Sequence, residues 1–167
     1  MSEEIVKLLN VERQKHSSLD HLLKKKGFYP SNDRGWDPLI KSWNKLTPTK
    51  PRAIELVFFR PSEEEWKSNT KESLPAYTQR KLRPASLFEI LAAIPDETQR
   101  EEQKQFCVEL GKDFIIMIHG HYTTSWFSRG LPYIHGEYGW NLKFGTNILT
   151  SRKWCWYAGF RILKKKM

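Results

Sequence analysis

The chain has 167 residues, with 28 Lys and Arg against 19 Asp and Glu for a formal net charge of +9, and a mean hydropathy of −0.64. That length suits one domain that buries a core without staples; its two cysteines, Cys107 and Cys155, are too few for a disulfide framework and lack close metal-ligand spacing, so both are expected free. No apolar run approaches the ~18 residues of a membrane span, and the acidic opening Ser2-Glu3-Glu4 is unlike a secretory leader, which predicts a soluble protein made in the cytoplasm.

Ser2 can cap a first helix in which Ile5, Leu8 and Leu9 recur at helical spacing, and Ser18 a second that carries Leu19, Leu22 and Leu23 and ends at Gly27. Lys24-Lys25-Lys26 falls in the last turn of the second, where cations complement the carbonyl end of the helix dipole, so the run is read as helix chemistry and not as a docking patch. Residues 28–51, rich in Pro, Asn, Asp and Gly with Trp36 and Trp43 among them, read as a long loop pinned by indoles. A strand is expected from Ala53 to Phe59 with Ile54, Leu56 and Phe58 on one face. Ser62 to Glu65 and Ser86 to Glu89 both have the Ser-x-x-Glu form of a capping box, the second just ahead of Leu87, Ile90, Leu91 and Ile94. Pro95 stops that helix, and residues 96–104 read as a further helical turn or a solvated connector. Phe114 to Ile118 is an apolar run of strand length, expected at the centre of a sheet.

Beyond it the pattern changes. Trp140, Leu142 and Phe144 alternate with Asn141 and Lys143, and Trp154, Trp156, Ala158, Phe160 and Ile162 alternate with Lys153, Cys155, Tyr157, Gly159 and Arg161. Period-two alternation predicts strands with one buried face, and glycines 130, 136, 139 and 145 mark the turns. The expected fold is α+β, with helices early and a small irregular antiparallel sheet in the C-terminal half. Residues 120–167 also hold half of the chain's aromatic residues, and eight cations against one acid, Glu137, put +7 of the net +9 there. Tyr and Trp give large, stiff contact area at low entropic cost, so this stretch reads as a binding surface.

Three chemistries can be weighed against that surface. His119 and His121 would share one face of a strand and, with His135 or Glu137, approach a metal; no third ligand stands at a diagnostic spacing, and no metal or other cofactor is expected. Glu137 has no acidic companion nearby for paired-carboxylate chemistry, and neither a nucleophile signature around Ser125, Ser128 or Cys107 nor a phosphate-cradling glycine loop is present, so an enzyme is not expected. Basic residues interleaved with aromatics also suit a single-stranded nucleic-acid binder, the alternative reading, although no RNP-like or helix-turn-helix pattern appears.

The stretch Lys81-Leu82-Arg83-Pro84-Ala85-Ser86-Leu87-Phe88-Glu89-Ile90-Leu91 resembles the "RPAT-x-x-E-x-L" helix opening of variable proteins from diversity-generating retroelements of the archaeal, nanoarchaeal type. Ser125-Trp126, Gly130-Leu131-Pro132-Tyr133-Ile134, Trp140-x-Leu142-x-Phe144 and Gly159-Phe160-Arg161 are similar to the rest of that pattern, and the ending is more loosely similar to C-type-lectin-like domains that close on a "GFR" strand. The resemblance covers residues 81–163, about half the chain; the first eighty residues match nothing in it.

What the resemblance implies is a single C-type-lectin-like domain over residues 1–167, with a helical N-terminal part and loop over 1–51 and a ligand-binding region over 120–167 that is rewritten by mutagenic reverse transcription at adenines. Such a protein binds a protein or glycan target, acidic ligands included, and is not an enzyme. Position and outward phase then nominate Ile134, His135, Glu137, Tyr138, Asn141, Lys143, Thr146, Asn147, Ile148, Thr150, Ser151, Lys153, Cys155 and Tyr157 as contact residues. Trp126, Trp140, Leu142, Phe144, Phe160 and Arg161 are expected to be scaffold. A slip of one residue along a strand exchanges the two groups.

Overall fold

The apolar runs around Val57 and Trp156, nearly a hundred residues apart in sequence, lie side by side. In the computed structural model the described residues are 4–11, 19–28, 52–67, 74–119, 133–137, 141–145 and 154–163. They form strands β1 (Glu4–Val11), β2 (Arg52–Phe59), β3 (Arg83–Pro84), β4 (Phe114–Met117), β5 (Tyr133–Glu137), β6 (Asn141–Gly145) and β7 (Cys155–Ile162). The helices are α1 (Leu19–Lys26), α2 (Glu63–Lys67), α3 (Leu74–Gln79), α4 (Leu87–Ala93) and α5 (Arg100–Leu110). All strands join one sheet in the order β1-β2-β7-β4-β5-β6, with β3 paired to the far part of β7. The protein is α+β, and its sheet draws on both ends of the described chain.

β7 is the middle of this arrangement. It runs antiparallel to β2, with Phe58 opposite Ala158 and Phe59 opposite Tyr157, and parallel to β4, with Ile116 opposite Trp156. The sheet is therefore mixed, where alternation in the C-terminal half predicts an antiparallel one. Nor does β7 have a solvent face from Cys155 to Phe160, which are all buried; only Arg161 and Ile162 at its end emerge. Trp156, Ala158 and Phe160 join Ile54, Leu56 and Phe58 under α4 and α5, whereas Cys155 and Tyr157 join Val57, Phe59 and Met117 under α3. Alternation read as one buried face is thus corrected to two dissimilar buried faces, a larger core and a smaller aromatic one.

The N-terminal segment is also corrected. Ile5, Leu8 and Leu9 fit helical spacing, yet residues 4–11 are strand β1, paired with β2 at all eight positions from Glu4 opposite Phe59 to Val11 opposite Arg52. A short isolated helix is marginal, whereas a strand laid on the apolar edge of β2 gains a full ladder and turns every second residue inward, half-buried at Ile5, Lys7 and Leu9 and buried at Val11. Ile5, Leu9 and Val11 meet the larger core, and Lys7 crosses to Glu109 on α5 at 3.0 Å.

The second expected helix is α1, and Gly27, at φ +84°, takes the left-handed position that ends it, with Phe28 N–H donating to Leu23 O at 3.0 Å. Lys24 to Lys26 stand in the last turn of α1, and Lys26 is buried there, its Nζ donating to Ile94 O at 2.5 Å and lying 2.9 Å from Asp96. Both capping boxes have the Glu arm in place, Ser62 N–H to Glu65 at 2.8 Å and Ser86 N–H to Glu89 at 3.0 Å. α4 stops at Ala93 before Pro95, and the stretch read as a turn or connector contributes the start of α5, whose Phe106, Cys107 and Leu110 enter the larger core.

Gly136 lies against the Phe114 ring, and a Cβ there would stand 2.2 Å from Phe114 Cε1. Phe114 is fully buried, so the ring has no free space to move into. Gly136→Ala is expected to lower stability by about 1–3 kcal/mol through overpacking. A denaturation midpoint equal to that of the native sequence would contradict this close approach.

Candidate functional site

The β5–β6 hairpin carries the densest group of sequence-nominated contact residues, and its register sorts them. Tyr133 opposes Gly145, Ile134 opposes Phe144, His135 opposes Lys143, Gly136 opposes Leu142 and Glu137 opposes Asn141. Directly opposed residues share a face, so positions 135, 137, 141 and 143 fall on one side of the sheet and positions 134, 136, 142 and 144 on the other. The second side is the core side: Ile134 and Leu142 are buried in the larger cluster. The first is continuous with Tyr133 and Ile115, which pack only in part against the smaller cluster, and His135 there is half-buried.

Ile134 is accordingly a core residue and not a contact residue, because its phase follows Ile116 across the ladder. Cys155 and Tyr157 are corrected in the same way. They do point away from Trp156 and Ala158, as alternation requires, but that side of β7 is roofed by Ala76, Tyr77 and Leu82, leaving both fully buried. Tyr138, Thr146, Asn147, Ile148, Thr150, Ser151 and Lys153 lie outside the described residues, as do Trp126 and Trp140 of the expected scaffold and Trp36 and Trp43 of the expected loop. Leu142 and Phe160 are buried, in keeping with a scaffold role, and Arg161 Nη1 meets Glu55 at 2.5 Å while its Nη2 donates to Arg80 O at 2.8 Å.

A second constellation was not legible in the sequence. His119, two residues past β4, is buried among Phe59, Tyr77 and Tyr157: its ring centroid is 5.3 Å from that of Tyr77 and 4.5 Å from that of Tyr157, and the two tyrosines stack at 5.9 Å. The Tyr77 hydroxyl hydrogen-bonds His119 Nδ1, and the Tyr157 hydroxyl donates to Glu65 O at 3.4 Å. Arg80 closes the group, holding both oxygens of Glu65 at 2.6 and 3.1 Å and lying 4.1 Å above the Phe59 ring. Tyr77 lies in a segment with no strong periodicity, so only the fold reveals the cluster.

The rings of this cluster are closed to solvent, and its two charges, Arg80 and Glu65, neutralise each other beside them. Burial lowers the His119 pKa to about 3, so the imidazole is neutral at neutral pH. Burial alone would raise the Glu65 carboxyl, but hydrogen bonds from Arg80 and Ser62 outweigh it and the pKa is lowered. Desolvation pushes the Cys107 thiol up to about 11 and raises that of Cys155 as well, so neither buried, free cysteine is a thiolate nucleophile. Among the described residues no group of three or more His, Cys, Asp and Glu could hold a metal ion, and no helix is long and apolar enough to cross a membrane. His121, the other half of the metal reading, lies outside the described residues.

Comparison of the chain with protein-family models, with characterised proteins and with solved structures found no match. What the arrangement can do therefore follows from its own chemistry: a neutral, enclosed histidine supports a roof over β7, and the polar positions are carried on the edge hairpin.

The pH dependence follows from the sign of the shift. A folded-state value below the ordinary 6.5 means that the unfolded chain binds the extra proton, so this part of the stability is complete above about pH 6.5 and is lost as pH falls towards 3. Glu65 and Asp96, both lowered, add losses at the acid end. The melting temperature is expected to fall through this window, and His119→Gln, which keeps a hydrogen-bonding group without the imidazole titration, is expected to flatten the upper part of the fall. An unchanged slope in thermal melts at stepped pH would remove His119 as its cause.

Proposed function

We propose that the chain is a target-binding protein of the retroelement-diversified kind, in which one face of the β5–β6 hairpin and the segments around it contact a protein or glycan target while a lectin-like scaffold is kept. The observation that carries this reading is the hairpin register, which gathers His135, Glu137, Asn141 and Lys143 on one side and leaves Ile134, Gly136 and Leu142 to the core. Substitutions on such a face, away from caps and strained backbone, usually cost within ~0.5 kcal/mol. Contact chemistry can then change while the fold persists. The lectin-like part rests on the sequence resemblance, with which a mixed sheet closed by its last strand is compatible.

The same geometry weighs against the nucleic-acid alternative. Single-strand binders need exposed rings beside unpaired cations, but Trp156, Tyr157 and Phe160 are core. Many described cations are internally engaged: Arg52 with Glu89, Arg80 with Glu65, Arg161 with Glu55, and Lys25 and Lys26 with Asp96.

Two measurements test the proposal. Replacing His135, Glu137, Asn141 and Lys143 together with Ser is expected to shift the melting temperature by only a few degrees, while libraries varied at these four positions yield folded binders to unrelated targets; collapse of the fold would refute the division into face and scaffold. Sequencing the DNA beside the gene should find a near-copy of its 3′ end, differing where the copy has adenine, next to a reverse transcriptase. If instead the purified chain binds arbitrary single strands with an affinity that falls steeply with salt, the alternative takes its place.

A further inference from the structure

Strand β1 lies at one end of the sheet order, and among the described residues β2 is its one strand neighbour. Its eight positions pair with β2 in continuous register, so the other edge presents a regular row of peptide N–H and C=O groups. Edges of this kind are normally blunted by proline, by a bulge or by uncompensated charged side chains, inward-pointing ones included. β1, with sequence EIVKLLNV, has no proline, and its one lysine is turned to α5, where Lys7 Nζ is neutralised by Glu109 at 3.0 Å. On the opposite side Val6 and Leu8 are 47% and 70% exposed. Among the described residues no strand pairs with this apolar, regular edge, and its one lysine is compensated by Glu109, so it calls for a partner strand.

We propose that β1 pairs antiparallel with β1 of a second copy of this chain, about a two-fold axis through Lys7, joining two sheets into one. The strand's own sequence selects both occupant and register. A two-fold axis normal to the sheet keeps each side chain on its face, so the axis must pass through a residue and not between two. Centred on Val6, it would set Glu4 against Leu8 and Ile5 against Lys7. Centred on Leu8, it would set Val6 against Asn10 and Lys7 against Leu9. Centred on Lys7, it sets Val6 of one copy against Leu8 of the other, twice, on the outer side, and Ile5 against Leu9, twice, on the core side, with Glu4 against Asn10. The two Lys7 side chains meet at the axis, each already held by its Glu109, as a four-charge group of no net charge. A foreign strand would have to bring apolar residues in both phases; β1 of a second copy brings them.

Sedimentation of the full chain is expected to show two chains per particle, dissociating on dilution and associating more tightly in high salt, because two copies of net charge +9 repel less when screened. Leu8→Lys is expected to weaken association by roughly tenfold or more, since each dimer would desolvate two new charges, with the melting temperature of the monomer unchanged. As an independent reading of the register, Lys7→Cys under mild oxidation should form a disulfide-linked dimer faster than Leu8→Cys, because position 7 faces itself whereas position 8 faces position 6. One chain per particle at every concentration, a dimer indifferent to Leu8→Lys, or faster cross-linking through position 8 would each overturn the proposal.

Discussion

The burial of β7 on both faces is the constraint on which the rest depends. With β2 on one edge, β4 and β3 on the other, the α4–α5 layer beneath and α3 above, the stretch Cys155 to Phe160 has no direction left for solvent. Its chemistry matches: Trp156 fills the larger core and sends its indole N–H to Leu110 O at 2.8 Å, which ties the end of α5 to the sheet. On the other side Gly159 lets the roof touch the backbone, since a Cβ there would come within 2.9 Å of Leu82 and 3.0 Å of Tyr77. Leu82, Tyr77 and through it His119 are therefore placed by the absence of a side chain on β7.

From this centre outward, the two sides of the molecule are held differently. The larger core is aliphatic and aromatic, filled from β1, β2, β4 to β7 and two helices, and its stability scales with apolar area removed from water. The smaller one is an aromatic group whose polar atoms satisfy one another, Tyr77 with His119, Tyr157 with Glu65 O, Glu65 with Arg80. Such a network is directional and intolerant of partial loss. Among the described residues it covers β2, β7 and β4 and reaches β5 at Tyr133. Gly136, between His135 and Glu137, is a position with no latitude, because its backbone lies against the Phe114 ring.

Much of the element content was legible in the sequence. The strand at Ala53 to Phe59, the helix opened by Ser86 and Glu89, its stop at Pro95 and the central strand after Phe114 each had a local cause, and local causes are visible in a sequence. What escaped depends on pairing. Ile5 and Leu9 fit both helical and extended spacing, Leu8 the helical one alone, and the neighbouring β2 decides for the strand. In β7 the alternation was real, but whether Cys155 and Tyr157 faced water or a roof rested on α3, some eighty residues upstream. The hairpin positions fared differently: once Ile134 follows Ile116 into the core, the alternate residues His135, Glu137, Asn141 and Lys143 are sorted together by register. Sequence carried the period; the fold supplied its phase.

The position of β7 also bears on how the chain is made. Every other described strand is synthesised before it, yet β2 and β4 have no direct contact in the sheet order and are joined only through β7. During translation the N-terminal ladder of β1 on β2 and the β4-β5-β6 meander can each form, but they remain two open half-sheets with the flanks of β2 and β4 exposed. Contacts between residues so distant in sequence also form slowly. The nascent protein thus has a vulnerable interval that closes only when Ile162 emerges from the ribosome, and a chaperone that shields extended apolar edges would act on that interval.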